Sequence, residues 1–280
     1  MSERIAEIPL DAFNGASLGG FKGKFNLKLP TGVTYREIIL GLENITIAQI
    51  ERISLTLNGD EIVRVTGEEL DLIRKSAGLH TDAKHLVIPF TDVSQKFLNS
   101  QDYSELVTIV GENLVLKIDT ADKLADGSQD GKVAEITARA KFAGMREARI
   151  RLPRIFGDGM SGTRAGENRY TGLATQNKSS NPSRIQRIFV QTDRCVNLEL
   201  QRNRQTIFDK SLAENNFDLE VNNQVVPDGA YLYDAVQEGA AASDALGITQ
   251  NFEFIAELKT AGDFNVLFQT VEVLKFPVSV

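Results

Sequence analysis

The sequence has very few of the residues on which catalysis and covalent cross-linking depend. It contains no tryptophan, one cysteine and two histidines among 280 residues. The single cysteine, Cys195, cannot form an intrachain disulfide, which fits assembly in a reducing cytoplasm. Because no histidine lies near Cys195 in the sequence, we expect a core residue and not a nucleophile.

The two histidines and the sequence motifs also argue against an enzyme. His80 and His85 are separated by five positions, which places them on neither one helix face nor one strand face. No cysteine pair, HExxH, GxSxG, P-loop or GxGxxG pattern is present. We therefore predict that the chain is not an enzyme and requires no cofactor, and that both histidines are surface or hydrogen-bonded residues.

Long hydrophobic runs and an excess of positive charge are missing as well. No apolar run approaches the ~18 residues of a membrane span. The start, MSERIAEIPL, has no basic segment followed by an apolar one, so we expect no signal peptide and only peripheral membrane contact. With 31 Lys and Arg against 38 Asp and Glu, the net charge of −7 predicts no sequence-specific nucleic-acid partner.

Strand patterns dominate what is present. Residues 53–65 read as two β-rich runs around Asn58-Gly59, a pair that favours a tight hairpin turn. Residues 133–142 alternate between polar and apolar side chains, which is typical of a half-buried strand. Further strands are predicted at residues 114–118, 185–190, 217–221, 251–258 and 265–276.

Short helices and one long loop complete the local predictions. Thr66 and Glu69 have capping-box spacing, which predicts a helix that ends near Gly78. A second helix is predicted over residues 206–216, with Phe208 and Leu212 on one face. Residues 157–181 are rich in Gly, Ser, Thr and Asn, so a long exposed loop is predicted there.

The two halves of the chain share four short matches in the same order. The matches pair residues 27–30 with 150–153, 50–53 with 185–188, the helix at Thr66 with that at Thr206, and 115–118 with 273–276. Each match alone is within chance for β-type sequences, but collinear matches with growing offsets are expected of a duplicated fold. We therefore predict an all-β chain of two tandem β-sandwich jelly rolls with a few short helices. The predicted domains are residues 1–145 and 146–280, joined near Ala143.

A run of scaffold residues in the first half carries a family resemblance. Residues 27–35 read LKLPTGVTY, followed by Ile45-Thr46, Gln49-Ile50 and Leu57-Asn58-Gly59. This succession resembles the major capsid protein of tailless, membrane-containing marine bacteriophages of the corticovirus type. The likeness covers roughly residues 25–120 and is looser in the second half.

The resemblance implies a structural role in a virus particle. It implies a double jelly-roll subunit that forms homotrimers, and trimers that tile an icosahedral shell over an internal membrane. It implies neighbouring capsomers and other virion proteins as partners, a place in the virion capsid, and synthesis in the host cytoplasm. Calcium is associated with shells of this type.

One acidic loop has the start of a calcium-binding pattern. Asp126, Ser128 and Asp130 place oxygens at alternate positions, and Gly131 permits the sharp turn that such loops make. The twelfth position is Thr137, which lacks the bidentate carboxylate of that pattern. We predict weak calcium binding at Asp126, Ser128 and Asp130, with a solvated acidic turn as the alternative.

Charge is distributed unevenly along the chain. Residues 139–204 hold 14 Lys and Arg against 5 Asp and Glu, whereas residues 1–138 hold 14 against 21 and residues 205–280 hold 3 against 12. Such a basic middle, including Arg149, Arg151 and Arg154, fits contact with anionic lipid or with an acidic neighbouring subunit. Salt bridges within the folded subunit are the alternative.

Two other function classes compete with the capsid hypothesis. A carbohydrate-binding or carbohydrate-cleaving jelly roll would favour aromatic platforms, yet the chain has no Trp and 5 Tyr. A secreted adhesin is weakened by the missing signal peptide, although a virion spike would need none.

Overall fold

The computed structural model describes residues 6–14, 20–144, 146–171, 173, 181–248 and 251–279. Met145, at the predicted domain boundary, lies outside the described residues, as do residues 172 and 174–180 of the predicted loop.

The described part of the first half folds into nine strands and two short α-helices. The strands are β1 (Ala6–Pro9), β2 (Lys24–Leu29), β3 (Thr34–Glu43), β4 (Ile50–Leu57), β5 (Asp60–Val65), β6 (His85–Pro89), β7 (Leu106–Val107), β8 (Leu114–Thr120) and β9 (Glu135–Ala143). The helices are α1 (Gly67–Ser76) and α2 (Leu98–Gln101), with 3₁₀ turns at Ile47–Gln49 and Asp102–Ser104.

The described part of the second half repeats this composition. Its strands are β10 (Ala148–Gly162), β11 (Gly166–Tyr170), β12 (Ser183–Gln191), β13 (Cys195–Arg202), β14 (Gln205–Ser211), β15 (Tyr231–Asp234), β16 (Leu246–Gly247), β17 (Phe252–Leu258) and β18 (Gly262–Ser279). Its helices are α3 (Leu212–Val221) and α4 (Ala241–Asp244).

The sheet topology shows that the second half is a copy of the first. The order β1-β9-β3-β6, with β7 on β3, recurs as β10-β18-β12-β15, with β16 on β12. The order β2-β8-β4-β5 recurs as β11-β17-β13-β14. In chain order, each strand of the second half therefore has a number nine higher than its counterpart in the first half. Helices α3 and α4 follow the counterparts of the strands that α1 and α2 follow. The prediction of an all-β chain with two similar sandwiches is confirmed.

Three of the four sequence matches that suggested the duplication nevertheless pair the wrong strands. They pair β2 with β10, β4 with β12 and β8 with β18, whereas the topology pairs these strands with β11, β13 and β17. The short matches reflect strand composition, since similar apolar patterns recur in every sandwich strand.

The second predicted helix starts six residues and ends five residues too early. Gln205–Ser211 is strand β14, paired with β13, and α3 begins only at Leu212. Ser211 and Glu214 form the capping box of α3, as Thr66 and Glu69 do for α1. The strand predicted over residues 217–221 is therefore wrong, because these residues belong to α3.

The loop predicted over residues 157–181 is also wrong over most of its described length. Residues 157–162 continue β10, which pairs with β18 as far as Gly162. Gly166–Tyr170 is strand β11, paired with β17. Of the glycines that suggested a loop, Gly157 and Gly162 lie in β10 where a Cβ would meet neighbouring atoms closely.

The strongest local predictions are confirmed. Asn58 and Gly59 turn the chain between β4 and β5 with φ angles of 54° and 86°. Strand β9 alternates exposed and buried side chains, and α1 starts at the predicted cap and is followed by Gly78 at φ 68°.

Candidate functional site: the seam between the two halves

Strands β5 and β10 join the two halves edge to edge. They pair in parallel, with Ile155 opposite Val63 and Phe156 opposite Arg64. One sheet of each sandwich thereby becomes part of a single nine-stranded sheet. Because the pairing is parallel and the halves share one topology, both sandwiches point the same way.

Apolar contact reinforces this pairing. The core cluster of the first half includes buried side chains of the second half, among them Leu152, Ile155 and Phe189. Burial of such side chains stabilises the seam by about 1.5–3 kcal/mol each. The halves therefore share both a sheet and part of one core at this seam.

A buried ion cluster spans the seam. In β12, Arg187 Nη2 lies 2.6 Å from Asp92 Oδ2 of the first half, and Nε donates to Asp234 Oδ2 at 2.8 Å. The side chains of Arg187, Asp92 and Asp234 are 6%, 9% and 0% exposed. The guanidinium thus holds two carboxylates from different halves.

The pKa values of the two carboxyls move in opposite directions. Burial raises the pKa of Asp234 above its ordinary value, although Arg187 opposes the rise. Burial also works to raise the pKa of Asp92, but Arg187 and hydrogen bonds from Ser94 and Gln95 together hold it below its ordinary value.

Two further arginines connect the halves through paired hydrogen bonds. Arg149 binds Glu112 in a bidentate pair, with Nη1 and Nη2 each 2.8 Å from a carboxylate oxygen. Arg154 lies between Asp60 of the first half, at 2.5 Å, and Glu272 of the second, at 2.8 Å.

Arg151 is held differently from its neighbours. Its guanidinium carbon lies 4.3 Å from the centre of the Tyr103 ring, and Nη1 donates to the Tyr103 carbonyl oxygen at 3.2 Å. A cation over an aromatic face is attracted by the ring quadrupole.

Arg149, Arg151 and Arg154 are all bound inside the chain, which favours the intrachain alternative over contact with anionic lipid or an acidic neighbouring subunit. The carboxylates that pair with Lys and Arg of the basic middle segment come from the acidic flanks, so folding offsets part of the charge asymmetry of the sequence. These partners are Glu7, Glu37, Asp60, Asp92, Asp102, Glu105, Glu112, Asp234, Glu253 and Glu272.

Gly157 lets α1 approach the seam. The Glu69 carboxylate, which caps α1, also accepts a hydrogen bond from Gln191 Nε2 at 3.0 Å. A Cβ at position 157 would stand within 3.0 Å of both oxygens of that carboxylate. Glycine therefore leaves room for the Glu69 carboxylate against β10, and a larger residue would require Glu69 to move.

The candidate catalytic residues do not form a site. Cys195 is buried, and burial raises the pKa of its thiol to about 12, so it is a core residue as predicted. His85 Nδ1 lies 2.9 Å from Asp82 Oδ2 on the surface, and this hydrogen bond lowers the pKa of Asp82. His80 lies beside the same carboxylate at 4.0 Å.

The predicted calcium loop is shaped by its own hydrogen bonds. Asp126 Oδ1 accepts from Ser128 N and Oγ at 2.9 and 2.6 Å, and these bonds lower the pKa of Asp126. The Asp130 amide donates to the Gly127 carbonyl at 3.1 Å. Sequence reasoning missed Gln129, whose buried side chain anchors the loop by exchanging hydrogen bonds with Gln49 at 2.9 Å.

These three residues offer fewer oxygens than calcium takes. Ca²⁺ binds about six to eight oxygen ligands, so most of its shell would have to be water or backbone carbonyls. Across the described ranges, no three His, Cys, Asp or Glu side chains are grouped so as to hold a metal ion. Calcium binding here stays a prediction.

None of the described helices is long and apolar enough to cross a bilayer.

Two equivalent sandwiches fused into one block define a structural subunit of the double jelly-roll class. The chain belongs to the viral coat protein P2 family. The model of the N-terminal domain of that coat protein matches residues 7–143, and the model of its C-terminal domain matches residues 152–274. It is therefore a structural component of a viral capsid and not an enzyme, which leaves the carbohydrate-protein alternative without support. The exact domain boundary at 145 and 146 stays a prediction.

Solved structures of viral capsid proteins share the fold. The major capsid protein P2 of bacteriophage PM2 is 19% identical, with a TM-score of 0.79 over 97% of this chain and 98% of that chain. The STIV major capsid protein is 12% identical, with a TM-score of 0.69 over 98% of each chain. The PBCV-1 virus capsid protein is 9% identical, with a TM-score of 0.63 over 98% of this chain and 95% of that chain. No curated protein sequence matches the chain.

Proposed function

We propose that the protein is the major capsid protein of a tailless bacteriophage, whose homotrimers tile an icosahedral shell over an internal lipid membrane. Neighbouring capsomers and other virion proteins are its partners, and it is made in the host cytoplasm. The observation that carries the proposal is the parallel fusion of two equivalent sandwiches in one subunit. Three such subunits would place six similar lobes around a threefold axis, and closed cyclic symmetry lets the same patches repeat.

The oligomeric state tests this proposal directly. Native mass spectrometry and light scattering at micromolar concentration should give about three times the 30.8 kDa mass of one chain. The same measurement on material released gently from particles is the control. A stable monomer or dimer in both preparations would contradict the proposed capsomer.

Calcium binding at Asp126, Ser128 and Asp130 is a separate part of the proposal. A ligand that binds only the folded chain stabilises it by mass action, so calcium in excess over its Kd should raise the melting temperature relative to chelator. Asp130→Ala should reduce that rise, while Asp122→Ala, outside the loop, should keep it. If Asp130→Ala responds to calcium as the wild type does, the site is not there.

A further inference from the structure

The two ends of the molecule differ in what surrounds their exposed apolar side chains. One end, called here the tip end, carries the Asn58-Gly59 turn, the start of β10, the end of β18, α2 and α4. Asn58 and Arg149 both bind Glu112 there, which places the first turn beside the start of the second sandwich. The opposite end, called the helix end, carries α1 and α3.

Two exposed tips at the tip end come from different halves and share one pattern. The first is Lys96-Phe97-Leu98, where Phe97 is 60% and Leu98 73% exposed. The second is Lys275-Phe276, where Phe276 is 83% exposed. In each tip an exposed lysine directly precedes an exposed phenylalanine, and neither lysine forms an ion pair within the described residues.

The first tip is held in place by hydrogen bonds. Buried Gln95 donates through Nε2 to Asp92 Oδ2 at 3.0 Å and to the Val236 carbonyl at 3.2 Å. Gln101 Nε2 donates back to the Gln95 carbonyl at 2.9 Å. The exposure of Phe97 is therefore built into the folded chain.

The second tip is a bulge at the end of β18. Arg149 pairs with Val278 and Arg151 with Val273, so four residues of β18 stand opposite Ile150 alone. Lys275 N donates to Asn181 Oδ1 at 3.1 Å, which holds the bulge.

Further exposed apolar side chains lie around the tips. An open cavity beside Ile150 is lined by Asn99 and Tyr103 together with the charged side chains of Asp102, Glu105, Arg146 and Arg151. Val93, Ile150 and Val278 are 46%, 44% and 41% exposed. Large exposed apolar side chains grouped at one end of a subunit are typical of an interaction site.

The helix end has exposed apolar residues of the opposite electrostatic character. Phe217 is 66% and Val221 62% exposed, but their sequence neighbours in α3 are Glu220 and Asp218, of which Asp218 is paired with Lys210. Carboxylates beside apolar side chains are repelled by anionic headgroups, whereas lysines are attracted to them. The charge pattern therefore selects the tip end as the one that fits an anionic bilayer.

We infer that the tip end docks on an anionic lipid bilayer, with Phe97, Leu98 and Phe276 entering the interface. Lys96, whose stem lies against Gly239, and Lys275 keep their ammonium groups at the phosphate level. The inference rests on the proposed shell over a membrane. It assigns the lipid contact to these tips and not to the buried seam arginines. Since Glu147 and Glu238 also lie at this end, apolar insertion supplies most of the affinity.

Sedimentation of the full-length protein with vesicles tests the inference. The vesicles contain phosphatidylcholine with or without phosphatidylglycerol. Phe97→Ser and Phe276→Ser should each lower partitioning roughly tenfold, the effect expected for withdrawing one large apolar side chain from an apolar environment. Phe217→Ser, at the helix end, is the matched control and should partition as the wild type does. Lys96→Gln with Lys275→Gln should lower binding to vesicles with phosphatidylglycerol and leave binding to pure phosphatidylcholine unchanged.

The oligomeric state of every sample separates this inference from the proposed function. Wild-type trimers that do not sediment with vesicles would overturn the lipid surface and leave the capsomer intact. Equal losses from Phe217→Ser and Phe276→Ser would overturn it as well. Vesicle binding lost only in the tip variants, with trimers retained, supports it. Wild-type monomers that bind vesicles through the tips would support the surface and refute the trimer.

Discussion

Replacing Arg187 with methionine should lower the free energy of unfolding by about 3–5 kcal/mol, as removal of one member of a buried ion cluster does. Methionine keeps much of the side-chain volume, so the loss comes mainly from charge. Asp92 and Asp234 would remain buried, and the charge that holds Asp92 ionised would be gone. Because Asp92 and Arg187 belong to different halves, the damage should fall on the seam. Urea unfolding at fixed protein concentration measures the change.

An exposed pair offers a matched control for this substitution. Arg169 pairs with Glu253, but its side chain is 51% exposed, so Arg169→Met should cost about 0–1 kcal/mol. If Arg187→Met does not fold, the triple variant with Asp92→Asn and Asp234→Asn should recover folding, since no unpaired charge remains buried. Equal costs for Arg187→Met and Arg169→Met would show that the buried cluster has no special role.

Local signals in the sequence were sufficient for the parts of the fold that local interactions determine. Asn58 and Gly59 readily adopt the positive φ angles that a tight hairpin turn requires at its two central residues. Thr66 and Glu69 satisfy the free N–H groups at the start of α1 within four residues of sequence. At both places the backbone conformation is determined by residues close together in the sequence, without contacts from distant parts of the chain.

The second half shows where local reasoning fails. Residues 206–211 have apolar side chains at helical spacing with Leu212, yet pairing with β13 makes them a strand. The capping pair Ser211 and Glu214 was visible in the sequence and could have moved the predicted helix start to the correct place. The strand predicted at residues 217–221 has the same origin, because a helix that starts at the Ser211 and Glu214 capping box extends through these residues.

The seam could not be predicted from the sequence at all. Arg187 and Asp92 are 95 positions apart, and Arg154 and Glu272 are 118 apart, so only the complete fold reveals each pair. The sequence did show the basic middle and the acidic flanks. The sequence did not show that basic residues of the middle pair with carboxylates of the flanks. The same uneven charge would suit an external partner equally well.

Gly157→Ala should lower the free energy of unfolding by about 1–3 kcal/mol, the usual range for inserting an atom where no space exists. The new Cβ would overlap the Glu69 carboxylate, which caps α1 and binds Gln191. Glu69 would have to move, which weakens the cap and the contact between α1 and the second half. Thermal or urea unfolding gives the size of the loss.

Gly159→Ala is the control, because it lies on the same strand and its Cβ would meet only Asn265 Oδ1 at an ordinary 3.8 Å. Replacing this glycine also reduces the entropy of the unfolded chain, so the variant should be neutral or slightly stabilised. The clash itself is isolated by a double-mutant cycle with Glu69→Ala, which shortens the overlapping side chain. In that background Gly157→Ala should cost far less than it does alone. Additive costs would mean that Gly157 is needed for some property of β10 other than room for Glu69.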